Sequence, residues 1–319
     1  VPAGEAVGTV ELPVVVGVDG SDAASDALDW AAEMAGRRGL PLRVVHASLW
    51  ERYEGYIPGT AADRPAERLH SEAVLATAAE RAGRRVPALK VMTDLAADDA
   101  VTALLRAGQS AEALVVGSRG RGEFASLLLG SVGLGIAARA QCPVVVVRGR
   151  PENVRGAMNR VVVGVAERER PGDRESAPPS GAVAFALREA RLRGGELEAV
   201  HAWRCAGPED HERPGDHGGR EGHGADEEHG AREAHERRAA ELLDETLGGA
   251  TAAGLPPVPV AHRPVEGSAR KALLDASAHA DLLVVGARRR QGHFGMQLGL
   301  VNHAVLHHAK CPVAVVPVS

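Results

Sequence analysis

A chain of 319 residues is long enough for two domains of ordinary size, and its 45 % apolar and 25 % charged residues fit a soluble globular protein. The net charge of −5 offers no basic surface for a nucleic-acid backbone, and no apolar run reaches the roughly 20 residues of a membrane-spanning helix. Aromatic residues make up only 3 %, so the core has to be built from Val, Leu, Ala and Ile.

In chain order, the first half reads as strand 13–19, helix 23–38, strand 42–48, helix 66–84, strand 88–93, helix 98–108, strand 113–117, helix 131–140 and strand 143–148. The strands are nearly continuous in Val and Leu, the pattern of strands covered on both faces. The first helix places Ala24, Ala27, Leu28, Ala31 and Met34 on one stripe, with Ser21 or Asp22 as its N-cap. Strands alternating with helices imply an α/β fold with a parallel sheet and right-handed crossovers. The second half repeats this with strands at 160–165, 197–203, 257–262, 281–286 and 312–318. Between them, 149–159 carries Pro151 and Gly156 and reads as a linker. The expected division is a first domain at 10–150, a linker at 151–158 and a second domain at 159–319.

The two halves are copies. Val14-Val15-Val16-Gly17-Val18-Asp19 is repeated as Val161-Val162-Val163-Gly164-Val165-Ala166, and His46-Ala47 as His201-Ala202. Gly117 and Gly286, Gly130 and Gly299, and Cys142 and Cys311 are all separated by the same 169 positions. One stretch departs from the pattern. Residues 205–235 are packed with Gly, Glu, Arg, Asp and His, so a disordered or loose insertion is expected. Its histidines recur every six residues, a spacing that presents no closed set of metal ligands, and a solvated repeat is favoured over a metal site.

The most informative constellation is Gly117-Ser118-Arg119-Gly120 followed, nine residues on, by Gly130-Ser131-Val132. Gly117 ends a strand, Gly120 permits a positive φ, and a helix begins at Ser131. A helix N-terminus with free N–H groups is a phosphate cradle, and the small residues Gly130 and Ser131 let oxygens approach the backbone. Asp19 ends the first strand on the same rim, where it can hold a ribose hydroxyl or a Mg²⁺ ion bridging phosphates. The plain alternative is a tight turn followed by a helix cap. Arg119 either adds charge to a phosphate or is simply an exposed side chain. His46 is either a packed strand residue or the nearest candidate base, with the packed reading favoured. No Gly-x4-Gly-Lys-Ser/Thr motif is present, so this is not a P-loop enzyme.

These residues resemble the Gly-x2-Gly-x9-Gly-Ser signature of the universal stress protein family, and Cys142-Pro143-Val144-Val145-Val146-Val147 resembles the end of its domain. The resemblance covers both halves apart from the His-rich stretch. It implies two open five-stranded parallel α/β domains of Rossmann-like, adenine nucleotide alpha hydrolase-like type. It also implies adenine held by backbone at Ala47, the family's aspartate at Asp19, and ribose and phosphates held by Gly117, Gly120, Gly130, Ser131 and Val132, with Val18 and Arg119 also expected in the site. Family members pair through their last strands, so 144–147 and 313–316 are expected to form a pseudo-dimer within the chain, with homodimers as an alternative. In the second half Ala166, Arg289 and Leu300 replace Asp19, Gly120 and Ser131, so no ATP is expected there.

The expectation is therefore a stress-response regulatory protein. It holds ATP with Mg²⁺ in its first domain, and a protein partner reads the loop at 123–129. A slow ATP hydrolase and a ligand-free scaffold are the alternatives. Residues 1–9 lack a basic stretch followed by an apolar one, so no secretory signal is expected. Three cysteines, Cys142, Cys205 and Cys311, cannot build a disulfide framework, which suits a reducing cytoplasmic location.

Overall fold

The computed structural model describes residues 11–49, 64–119, 129–166, 181–204, 224–252, 257–288 and 298–318. The chain divides into a first unit, Val1–Arg148, and a second, Gly149–Arg289 with Leu298–Ser319.

The first unit runs β1 (Val14–Gly17), α1 (Asp22–Arg38), β2 (Leu42–Ala47), α2 (Arg64–Arg85), β3 (Val91–Ala96), α3 (Ala100–Gly108), β4 (Ala113–Gly117), α4 (Ser131–Arg139) and β5 (Val144–Val147). Its strands lie in the order β3-β2-β1-β4-β5, and every neighbouring pair is parallel. The side chains of Val14–Val16, Leu114, Val115 and Val144–Val146 are essentially inaccessible to solvent, as a sheet covered on both faces requires. Ser21 caps α1 by accepting a hydrogen bond from the Ala24 N–H at 3.2 Å, and Gly39, at φ 67°, ends the helix. Helix α2 is tied to α1 by Arg81, whose Nε and Nη2 donate to Asp29 at 2.7 and 2.8 Å.

The second unit runs α5 (Pro151–Val154), β6 (Arg160–Gly164), α6 (Gly181–Arg193), β7 (Glu196–Trp203), α7 (Gly224–Ala252), β8 (Val260–Glu266), α8 (Ala269–Ser277), β9 (Leu282–Arg288), α9 (Leu300–His308) and β10 (Val313–Val318). Its sheet order, β10-β9-β6-β7-β8, repeats that of the first unit, again with parallel pairs. Residues 151–158, expected as a linker, are part of this unit's packing. Asn153 is fully buried, and its Nδ2 donates to the carbonyls of Ala278 and Ala280 at 3.2 and 2.7 Å. Asp281 accepts the Met158 N–H at 2.8 Å.

Two outer strands sit further along the chain than their apolar runs suggest. β3 occupies Val91–Ala96 rather than 88–93, and β8 occupies Val260–Glu266 rather than 257–262. In β3 the register runs from Leu42↔Val91 to Ala47↔Ala96, and Leu89 belongs to the turn after α2, its N–H bonded to Val86 O. β8 tolerates Pro264 because it is the last strand of its sheet order. The His-rich stretch needs a larger correction. Residues 205–223 lie outside the described residues, but 224–252 form the helix α7. Helix-forming Ala, Glu and Arg dominate it, and Ala239, Leu243 and Leu247 bury themselves against the sheet. His229 lies 3.3 Å from Glu233 one turn on, and His235 stacks on Trp203 with ring centres 5.9 Å apart.

Cys142 and Cys311 are buried free thiols, and burial pushes the Cys142 thiol up to about 11, which leaves it un-ionised at neutral pH. Cys205 lies outside the described residues. Among the described residues no helix is long and apolar enough to cross a membrane.

The outer strand of each unit is matched to its neighbour by an ion pair of opposite order. In the first unit Arg43 on β2 donates to Asp94 on β3 at 2.5 Å. At the same diagonal of the second, Arg263 on β8 donates to Glu198 on β7 at 2.9 Å. Exchanging the two outer strands would bring Asp94 beside Glu198 and Arg263 beside Arg43, like charges in both cases. Arg43→Glu is expected to lower the stability of the first unit by about 0.2–1 kcal/mol, the range of exposed pairs. Adding Asp94→Arg should recover most of it, as a double-mutant cycle in urea would measure.

Candidate functional site

Strands β1, β2 and β3 step to one side of the first sheet, whereas β4 and β5 continue on the other side of β1. The reversal between β1 and β4 splays the loops beyond their carboxyl ends, the place where open α/β sheets bind ligands. Asp19 follows β1 and Gly117 ends β4, so both fall at this switch point.

Val18 is buried, and its N–H extends the ladder to Val45 O at 2.9 Å. Asp19 is half-buried, and its Oδ1 accepts the Ser21 N–H at 3.0 Å. Gly20, at φ 83°, then turns the chain into α1. The first turn of α1 passes so close to the end of β4 that a β-carbon on Gly117 would lie 2.5 Å from the Ala23 carbonyl oxygen. Glycine is obligatory there because two main chains touch.

Beyond β4, the Ser118 N–H donates to Val147 O at 3.0 Å, and the Gly130 N–H donates to Ser118 O at 2.9 Å. The second bond closes the neck of the intervening loop, of which 120–128, including Gly120, lie outside the described residues. Gly130 is the N-cap of α4 and brings no side chain to its first turn. The N–H groups of Ser131, Val132 and Gly133 are therefore the helix's terminal donors. A β-carbon on Gly130 would meet only Ser118 O at 3.7 Å and Arg119 Cα at 3.9 Å, ordinary contacts. Packing does not demand glycine at 130 as it does at 117. Arg119 and Ser131 are exposed, and Val132 is half-buried. Ala47 is half-buried at the end of β2, on the same rim.

His46 is buried, and its Nδ1–H donates to Val18 O at 2.8 Å. His201 makes the same bond to Val165 O at 2.9 Å in the second unit. A brace present in both copies, including the one without Asp19, is a packing device rather than a catalytic base.

The second unit keeps the switch point, between β6 and β9, but alters its lining. Ala166 stands in place of Asp19, and Arg289 lies outside the described residues. Leu300 is 91 % exposed at the start of α9, in the place of Ser131. The backbone crossing is also lost, since a β-carbon on Gly286 would meet side chains alone, Val318 Cγ2 at 2.9 Å and Ala182 Cβ at 3.8 Å. Sequence reasoning passed over a further difference. Asn302, only 8 % exposed, donates from Nδ2 to Gly286 O at 3.0 Å, whereas its counterpart in the first unit is Gly133. The signal was available, because the two residues stand at the same 169-position offset as the glycines.

The model of the Universal stress protein family matches residues 12–148 and again 158–317. The chain belongs to the universal stress protein family. One universal stress protein of Mycobacterium tuberculosis is 34 % identical over 323 residues, 95 % of this chain and 96 % of its own. Another from that species is 31 % identical over 314 residues, 97 % of each chain. Among solved structures, a universal stress protein from Archaeoglobus fulgidus has the same fold, with a TM-score of 0.62 at 19 % identity over 97 % of this chain and 99 % of its own. Within this universal stress protein, Gly117 is the glycine of the candidate rim whose substitution the packing tolerates least. Gly117→Ala should cost about 1–3 kcal/mol or more by overpacking. Thermal unfolding should show a lowered midpoint, and Gly130→Ala should show little change.

Proposed function

We propose that the first unit of this universal stress protein binds ATP, or a related adenine nucleotide, and acts as a nucleotide-dependent binding module read by a protein partner. The observation that carries this reading is the junction of β4 and α4 at the switch point. There, a cap without a side chain, Gly130, presents the terminal N–H groups of a nine-residue helix beside the end of β1. No side chain at Gly130 stands between a ligand oxygen and these backbone N–H groups.

In this reading, phosphates lie against Gly130, Ser131 and Val132, with Gly120 and Arg119 completing the cradle. The ribose lies at Asp19 and Gly117. Adenine is held by main chain at Val18 and Ala47. Mg²⁺ takes oxygen ligands and is held chiefly through the phosphates, with Asp19 as the carboxylate on this rim. Bound nucleotide supplies a charged, shape-changing group that a partner can read, and the protein's own residues orient it. The repeated histidine brace favours binding over hydrolysis, since His46 is occupied in the same way as His201.

Isothermal titration of the full chain with Mg²⁺ and ATP, AMP or a cyclic nucleotide, alongside phosphate release, tests the reading. One nucleotide per chain is expected, with release far slower than equilibration. Gly130→Glu and Asp19→Ala should each weaken binding by roughly tenfold or more, about 1.4 kcal/mol. Two nucleotides per chain, or undiminished affinity in Gly130→Glu, would contradict it.

A further inference from the structure

We infer that the third residue of the helix after the fourth strand of each unit, Gly133 after β4 and Asn302 after β9, determines which unit admits a phosphate. The inference rests on the nucleotide reading of the first unit and adds a residue that this reading does not contain.

Asn302 spans the gap between α9 and the end of β9. Its side chain is almost wholly buried, and its amide satisfies the Gly286 carbonyl at 3.0 Å. The gap at the carboxyl end of β9, beside the helix's first turn, is thus filled by the protein itself. Leu300 is 91 % exposed, so it removes a hydroxyl without packing into this gap. Closure of the second crevice is the work of Asn302.

The first unit brings no side chain from α4 to the same place. Gly133 is buried and has no side chain to offer. A β-carbon there would lie 3.8 Å from Gly117 O, so an asparagine at this position has that carbonyl within reach, as Asn302 has Gly286 O. Its nearest contact would be Leu129 Cδ1 at 3.1 Å, the far end of a flexible side chain that can give way. An alanine therefore fits once the Leu129 side chain yields by a few tenths of an ångström. Glycine is among the poorest helix formers, and its presence in the first turn of α4 is explained by the room that a phosphate oxygen needs between helix and strand.

The test compares the wild-type chain with Gly133→Ala and Gly133→Asn by titration with Mg²⁺ and ATP, and by thermal melting. The wild type should bind, Gly133→Ala should bind within about threefold of it, and Gly133→Asn should lose roughly tenfold or more. The melting point of Gly133→Asn should stay level or rise, since asparagine is the better helix residue of the two. Gly133→Gln carries the same amide on a longer stem and replaces the asparagine variant should that one not fold. Wild-type affinity retained in Gly133→Asn or its replacement overturns this assignment alone. A wild-type chain that binds no nucleotide overturns the nucleotide reading, and this assignment with it.

Discussion

The contact on which the rim of the first unit depends is between two main chains. The first turn of α1 crosses the end of β4 with no space for a side chain on Gly117. This crossing fixes the start of α1, and with it the tight turn through Asp19 and Gly20 that leads into the helix. On the other side, Ser118 is held to β5 through Val147 O, and its own carbonyl receives the Gly130 N–H that begins α4. The turn after β1, the loop after β4 and the end of β5 are thereby brought together, the first by this crossing and the other two by a backbone hydrogen bond. Such a site changes little with side-chain mobility, which suits recognition of phosphate by amides.

Duplication has preserved the packing of the sheets, while several residues of the proposed ligand rim differ between the copies. Both units keep the valine strands, the strand order and the histidine brace at His46 and His201. These differences include the residues after β1 and at the start of α4, where Asp19, Ser131 and Gly133 correspond to Ala166, Leu300 and Asn302. Core residues answer to close packing in each copy. In the proposed nucleotide reading, a cradle answers to an anion, and Asn302 takes the place of one in the second unit.

The inner strands were legible in the sequence because burial on both faces writes them as unbroken apolar runs. β4 falls at Ala113–Gly117, where its run of apolar residues ends in glycine. The outer strands were less so. Asp94, Arg263 and Glu266 are polar because they pair with charges across the surface, and a search for apolar runs places β3 and β8 too early. Helix α7 was obscured because its buried anchors, Ala239, Leu243 and Leu247, come after the charged stretch that suggested a coil. Gly117 stood out in the sequence as a turn and ligand residue, yet its need for glycine comes from Ala23, 94 positions away, which no local pattern reveals. The exchange of Gly133 for Asn302 is a single substitution, and its meaning emerged only once the carbonyl of Gly286 was seen to be its partner.

The central claim is that main-chain amides at the start of α4 grip a polyphosphate. Amide chemical shifts of the isotopically labelled full chain, followed while Mg²⁺ and ATP are added, test it most directly. The account predicts saturable shifts at Gly117, Gly130, Ser131 and Val132, with the amides of Gly299, Leu300 and Val301 unmoved. Shifts at the second set, or binding that leaves the first set unmoved, would contradict it.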